Sequence, residues 1–253
     1  MSLPSLGAIP DRPDPRDRIR VTAPIPPPDQ FSLQPHGVKT PWHQGQTGSC
    51  TGHAVAVAIQ NLFGRLDAHR VWEPAPLGIY YWTRELAGEA GIDNGAQLRD
   101  VMRTIAQRGV PPRFAHPTQD WRVAPNQRCQ DLAGMLRIKD YARIPVGPEA
   151  PQEMCRYLHQ EQLPLVIAIQ VFNSIYHAPV NYAGEIQMPT PEDPPLSWHA
   201  LMIDAYDTNT ERFSGWNSWG KKWGWGGRFS LPFAYFTRPD LAADVWTFSP
   251  GYW

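Results

Sequence analysis

The chain has 253 residues and a formal net charge of −1, with acids and bases intermixed. That length suffices for one large domain or two small ones sharing a cleft, and the lack of a basic stripe excludes a phosphate-tracking, nucleic-acid-binding protein. No apolar run reaches the roughly 20 residues of a membrane span, no charged-then-apolar leader opens the chain, and the cysteines, Cys50, Cys129 and Cys155, are too few for a disulfide scaffold. The expectation is a protein of the reducing cytoplasm with no membrane partner.

Residues 1–30 alternate proline with charge, as in Asp11-Arg12-Pro13-Asp14-Pro15-Arg16 and Pro24-Ile25-Pro26-Pro27-Pro28. Proline removes backbone donors and blocks both helix and central strand, so an extended arm is expected, lying on the surface or crossing a cleft to restrain access. From Cys50 to about Phe63, Val55, Ile59 and Leu62 recur at helical spacing, and Gly64 is expected to end the run. A second helix is expected from Gly78 to about Glu89. The clearest helix carries Leu98, Val101, Met102, Ile105 and Ala106 on one face, with Asn94 as its cap and Gly109-Val110-Pro111-Pro112 as its stop. A short helix is expected near Gln130–Leu136.

Beyond about residue 137 the pattern turns to strands. Ile138–Val146 reads as one, Pro151–Gln162 as a helix with proline in its first turn, and Leu163–Val171 as a buried strand. Further strands are expected at Glu185–Met188, Trp198–Tyr206, Arg212–Trp216, Gly227–Leu231 and Asp244–Phe248. Helices early and strands late predict an α+β chain with an arm at 1–30, a helical domain at 31–136 and a β-rich domain at 137–253.

Three separated segments carry chemistry. The run Gln44-Gly45-Gln46-Thr47-Gly48-Ser49-Cys50 places a thiol where a helix begins, and the helix N-terminus favours a thiolate there. His199, on an expected strand, supplies an imidazole partner, and Asn217 can orient that ring through its amide. Gln44 can direct its amide at a developing oxyanion beside the Cys50 N–H. Trp219 can shield the His199–Asn217 hydrogen bond from water. A zinc site at His43, Cys50 and His53 is disfavoured, because zinc takes four ligands at tighter paired spacing. No metal and no cofactor are expected. Lys221 and Lys222 read as a solvated loop face, and Tyr80-Tyr81-Trp82 as helix packing.

These segments resemble the papain-like cysteine peptidases. Gln44-Gly45-x-x-Gly48-Ser49-Cys50 matches that family's nucleophile segment, His199-Ala200 its histidine strand, and Asn217-Ser218-Trp219-Gly220-x-x-Trp223-Gly224 its asparagine segment. The resemblance implies a papain-like fold with a helical left domain, a β-barrel-like right domain and an active-site cleft between them. It also implies Cys50 as nucleophile, His199 as general base and acid, Asn217 as orienter and Gln44 as the oxyanion-hole residue. Asn94-Gly95 resembles the strip that pairs with substrate backbone, and Ser197 would stand near the pocket for the second residue before the scissile bond. Thr47 stands where animal and plant members have a disulfide cysteine, Thr51 replaces an aromatic, Trp198 replaces an acid or amide, and Gly95-Ala96 replaces a double glycine. With an arm shorter than the standard pro-domain, these features resemble a bacterial, intracellular-type branch. The implied activity is a cysteine endopeptidase acting on peptides or proteins. An amidase or transpeptidase using the same thioester, or a non-catalytic peptide-binding module on the same scaffold, stays open.

Overall fold

The computed structural model describes residues 4–33, 42–66 and 73–251. An extended N-terminal stretch contributes two short strands, β1 (Ala8–Ile9) and β2 (Gln30–Ser32). Helices α1 (Cys50–Leu66) and α2 (Pro76–Leu86) follow, then strand β3 (Ala96–Gln97) and helices α3 (Leu98–Gln107) and α4 (Gln127–Ala133). The second half runs β4 (Ile138–Arg143), α5 (Ala150–Glu161), β5 (Leu165–Phe172), α6 (Val180–Ala183), β6 (Pro195–Asp207), β7 (Arg212–Trp216), β8 (Arg228–Pro232) and β9 (Ala242–Pro250). Among the described residues no helix is long and apolar enough to cross a membrane.

Helix α1 is buried all round from Cys50 to Phe63, polar Thr51, His53, Gln60 and Asn61 included. Its small residues permit this. A Cβ at Gly52 would stand 2.6 Å from the Pro76 carbonyl oxygen at the start of α2, so the two helices dock almost backbone to backbone. Gly64 does not end α1, contrary to the sequence expectation. A glycine inside a helix costs only about 1 kcal/mol, which packing along a central helix outweighs. Helix α3 keeps its predicted face, with Leu98, Val101, Met102 and Ile105 fully buried. Its cap is different from the expected one. Asn94 bonds instead to Glu89, the capping position is Gln97 with no side-chain bond, and the Arg99 N–H is satisfied by the Asp11 carboxylate from the arm.

The strands form one nine-stranded sheet in the order β3-β1-β6-β5-β9-β4, with β7 and β8 branching from β6 and β2 pairing with its far end. The sheet wraps one half of the molecule without closing into a barrel. β5 is apolar and fully buried from Leu165 to Ile169, where β6 and β9 flank it. β6 is the longest strand and carries His199 opposite Ile169. The expected strand at Glu185–Met188 is reduced to a bridge between Glu185 and Ser230, because the proline-rich segment after Met188 offers no continuing ladder. α5 carries Pro151 in its first turn and is followed by Gln162 as its C-cap, in the left-handed conformation at φ 53°.

The arm is tied down along its length. Ala8 pairs antiparallel with Trp198 of β6 and parallel with Ala96 of β3. Arg18 and Arg20 exchange backbone bonds with Arg143 of β4, and Thr22 N–H donates to Glu153 of α5. Gln30–Ser32 pairs with Ala205–Asp207, so residues 30–32 lie on the strand-rich side.

Candidate active site

Cys50 is the first residue of α1 and has no exposed surface. Backbone N–H groups of Ala200, Gly7, Thr51 and Cys50 itself point at the sulfur and favour its anion, yet burial outweighs them and pushes the thiol up to about 11. The Ala200 contact sets the sulfur against the peptide that follows His199. His199 is equally buried, and loss of solvent pushes its imidazole down to about 4, only partly offset by Asn217. In this closed arrangement burial works against the thiolate that the helix terminus favours, and Gly7 of the arm lies against the sulfur.

His199 Nε2 lies 2.8 Å from Asn217 Oδ1, which also accepts the Ser218 N–H at 2.7 Å. The Ser218 N–H can only donate, which identifies the accepting atom as the amide oxygen. Nε2 therefore carries the proton, and the lone pair of the neutral ring sits on Nδ1, which has no partner. The Trp219 ring centroid is 4.8 Å from that of His199, Tyr176 stacks on Trp219 at 5.4 Å, and Trp223 meets it edge-on at 5.4 Å. This aromatic stack excludes water from the His199–Asn217 hydrogen bond.

Gln44 is buried beside these groups. Its backbone N–H donates to the Ser218 carbonyl, and its Oε1 accepts the Ser218 hydroxyl at 2.5 Å. That fixes the amide so that Nε2 faces the cleft, where it donates to the carbonyls of Ser5 at 3.0 Å and Thr47 at 2.9 Å. Cys50, His199, Asn217, Gln44 and Trp219 are thus gathered into one buried cluster. Gly95 forms its rim: φ is +93°, and a Cβ there would stand 2.3 Å from the Gly7 carbonyl oxygen. The Ala96 N–H donates to that same oxygen at 3.0 Å. Ser197 lies two residues before His199 on β6, half-buried opposite Val171. Asn94 is not drawn in; its exposed amide donates to Glu89.

Sequence reasoning passed over three residues here. Ser218 lies inside the asparagine segment, and its place next to the orienting amide was the available signal. Tyr80 does pack inside the helical half, as expected, but its hydroxyl also bonds to Asp93 and Gly95. Gly7 carries no sequence signal at all.

No family model matches the chain. It is 30% identical over 211 residues to an uncharacterized peptidase C1-like protein of Acanthamoeba polyphaga mimivirus, a match covering 80% of this chain and 67% of that protein. The chain belongs to the papain-like cysteine peptidase family. Its fold superposes on xylellain, a cysteine protease from Xylella fastidiosa, with a TM-score of 0.88 and 27% identity over 98% of this chain and 96% of that one. Procathepsin B from Trypanosoma congolense shares the fold at a TM-score of 0.75 and 13% identity, covering 97% of this chain and 86% of that one. In this papain-like peptidase all three cysteines are free, so no disulfide braces the cleft.

Proposed function

We propose that this peptidase cleaves within peptide chains through a thioester on Cys50. The Cys50 S–H proton passes to His199 Nδ1 as the sulfur bonds to the substrate carbonyl carbon. The resulting oxyanion takes hydrogen bonds from Gln44 Nε2 and the Cys50 N–H. Its collapse breaks the C–N bond, and the imidazolium gives its proton to the departing amine. Water then loses a proton to His199 and adds to the thioester. The C–S bond breaks, the acid leaves, and the sulfur regains its proton. What supports this reading above all is the state of His199: Nε2 is committed to Asn217, while Nδ1 keeps an unshared lone pair. Cys50→Ala should lower peptide hydrolysis by roughly 10³-fold or more. Hydrolysis by that variant at the wild-type rate would exclude the mechanism.

The arm, in the same reading, is an intramolecular inhibitor. The Ser5 carbonyl takes the Gln44 donor that a substrate oxyanion needs, and the Pro4 carbonyl takes the Tyr176 hydroxyl at 2.9 Å. Gly7 presents an N–H to the sulfur rather than a carbonyl carbon, which supports a segment that occupies the cleft without being cut.

A further inference from the structure

The peptide-binding rim is not held by a covalent link. The segment from Ala87 to Gly95 contains no regular secondary structure beyond turns, yet it presents Gly95 to the cleft. Two residues of α2 organise it. Arg84, almost fully buried, donates to the carbonyls of Ala90 at 3.2 Å and Ile92 at 2.6 Å, with its guanidinium 4.0 Å from the Tyr80 ring centroid. Tyr80 accepts the Gly95 N–H at 3.0 Å and donates its hydroxyl to Asp93 Oδ1 at 2.6 Å. Asp93 completes the chain, accepting the Gly48 N–H with both oxygens, at 3.0 and 3.2 Å. Gly48 belongs to the loop that carries Cys50. A Cβ on Gly48 would meet Asp93 Oδ1 at 3.1 Å, Gly95 N at 3.2 Å and the Tyr80 oxygen at 3.3 Å, so the loop and the rim abut.

We propose that Asp93 is a positioning residue for peptide binding: with Tyr80 it clamps the nucleophile loop at Gly48 to the rim at Gly95 and so sets the spacing between the sulfur and the backbone of a bound peptide. The inference rests on the peptidase reading for its kinetic consequence, but not for its structural one. Hydrogen bonds from a peptide N–H and a phenol to one ionised carboxylate are stronger than those to a neutral acceptor. All three cysteines are free, so these hydrogen bonds join the loop and the rim without a disulfide. Asp93 does not touch the reacting atoms. Its loss should weaken whatever lies on the rim and leave the reactivity of the sulfur unchanged.

The arm serves as a built-in peptide for the test, because Gly7 lies on Gly48, Gly95 and Ala96. Cys50 is labelled with iodoacetamide, a reagent too small to need the rim, and the site of labelling is read by peptide mass mapping. In the otherwise wild-type chain, Tyr80→Phe and Asp93→Asn should speed labelling of Cys50 about three- to tenfold by loosening the arm. In a Gly7→Ala background, where the arm is already displaced, the same substitutions should leave labelling within twofold while raising KM for a peptide substrate three- to tenfold at nearly constant kcat. Unchanged labelling with Gly7 present, or an equal change in both backgrounds, overturns the proposal. Should the Gly7→Ala chain label rapidly but cleave no peptide, the peptidase reading fails, and the labelling comparison still decides the role of Asp93.

Discussion

Two buried polar clusters lie along the same arm, and they are built in opposite ways. The candidate catalytic cluster is under-bonded: His199 Nδ1, Asn217 Nδ2 and Trp219 Nε1 are all buried without a partner. The cluster around Asp11 is charged and fully engaged. There the Asp11 N–H donates to Asp244, the indole of Trp246 donates to Asp11 at 2.8 Å, Arg143 bonds Asp244 and Asp17, and Arg99 bonds Asp17 with two nitrogens. Unfilled hydrogen-bonding capacity in a buried group costs free energy. Filled capacity marks a place whose task is to hold. The first cluster leaves His199 Nδ1 open to the proton transfer proposed above, and the second fastens the arm.

Breaking the catalytic side should give the largest effect. Asn217→Ala frees the ring of His199 and should lower kcat roughly 10²-fold, with thermal stability measured alongside; a loss matched by unfolding would remove the orienting role. On the fastening side, Gly7→Ala places a Cβ 2.0 Å from the Gly48 carbonyl oxygen. Overpacking of this kind costs about 1–3 kcal/mol, so iodoacetamide should reach Cys50 roughly 5- to 150-fold faster. Labelling as slow as in the parent would mean that the arm does not guard the sulfur.

The two clusters also differ in pH response. Three carboxylates, Asp11, Asp17 and Asp244, share the space with two guanidiniums, Arg99 and Arg143. Asp14 lies near Arg99 but is held ionised by Arg16, which pulls its carboxyl far below the usual range. Burial, then repulsion from Asp244, pushes Asp11 up to about 7, and burial likewise raises Asp244. The closed arm therefore binds a proton that a solvated Asp11, with its ordinary value near ~4, releases. Closure is fully stabilised by this group below about pH 4 and loses that contribution as pH rises to about 7. Cys50 labelling, divided by that of the Gly7→Ala variant to cancel thiol ionisation, should rise with pH across this window, by up to about tenfold per unit. Asp11→Asn should flatten the rise, and an unaltered slope would assign it elsewhere. The smallest expected effect is at Ser218. Ser218→Ala removes one hydrogen bond to Gln44, worth about 1 kcal/mol, and should lower kcat roughly fivefold with KM unchanged.

How much of this the sequence carried depends on how far apart the interacting residues lie. The nucleophile and asparagine segments each hold their chemistry within a few residues, so Cys50, Gln44, Asn217 and Trp219 were legible, and chain order pointed to His199. Helix α3 was legible because its burial follows one period, and strand β5 because it is a short, nearly continuous apolar run. Helix α1 was less so: a helix buried on every side shows no stripe, and Gly64 acts as a stop only where packing does not override it. The Asp11 cluster was hidden because it joins the arm to α3, β4 and β9. Nothing in the run Pro10-Asp11-Arg12-Pro13 shows that its carboxylate caps one helix and meets a second aspartate more than 200 positions away.

The arm grips β6 twice, at Trp198 through Ala8 and at Ala205–Asp207 through residues 30–32. Detachment of the first grip leaves the second in place, so the displaced segment remains leashed within reach of the groove it left. A short leash of this kind keeps its end at an effective concentration in the millimolar range. An outside peptide would then compete against a tethered rival, which a cut in the backbone between the two grips would release.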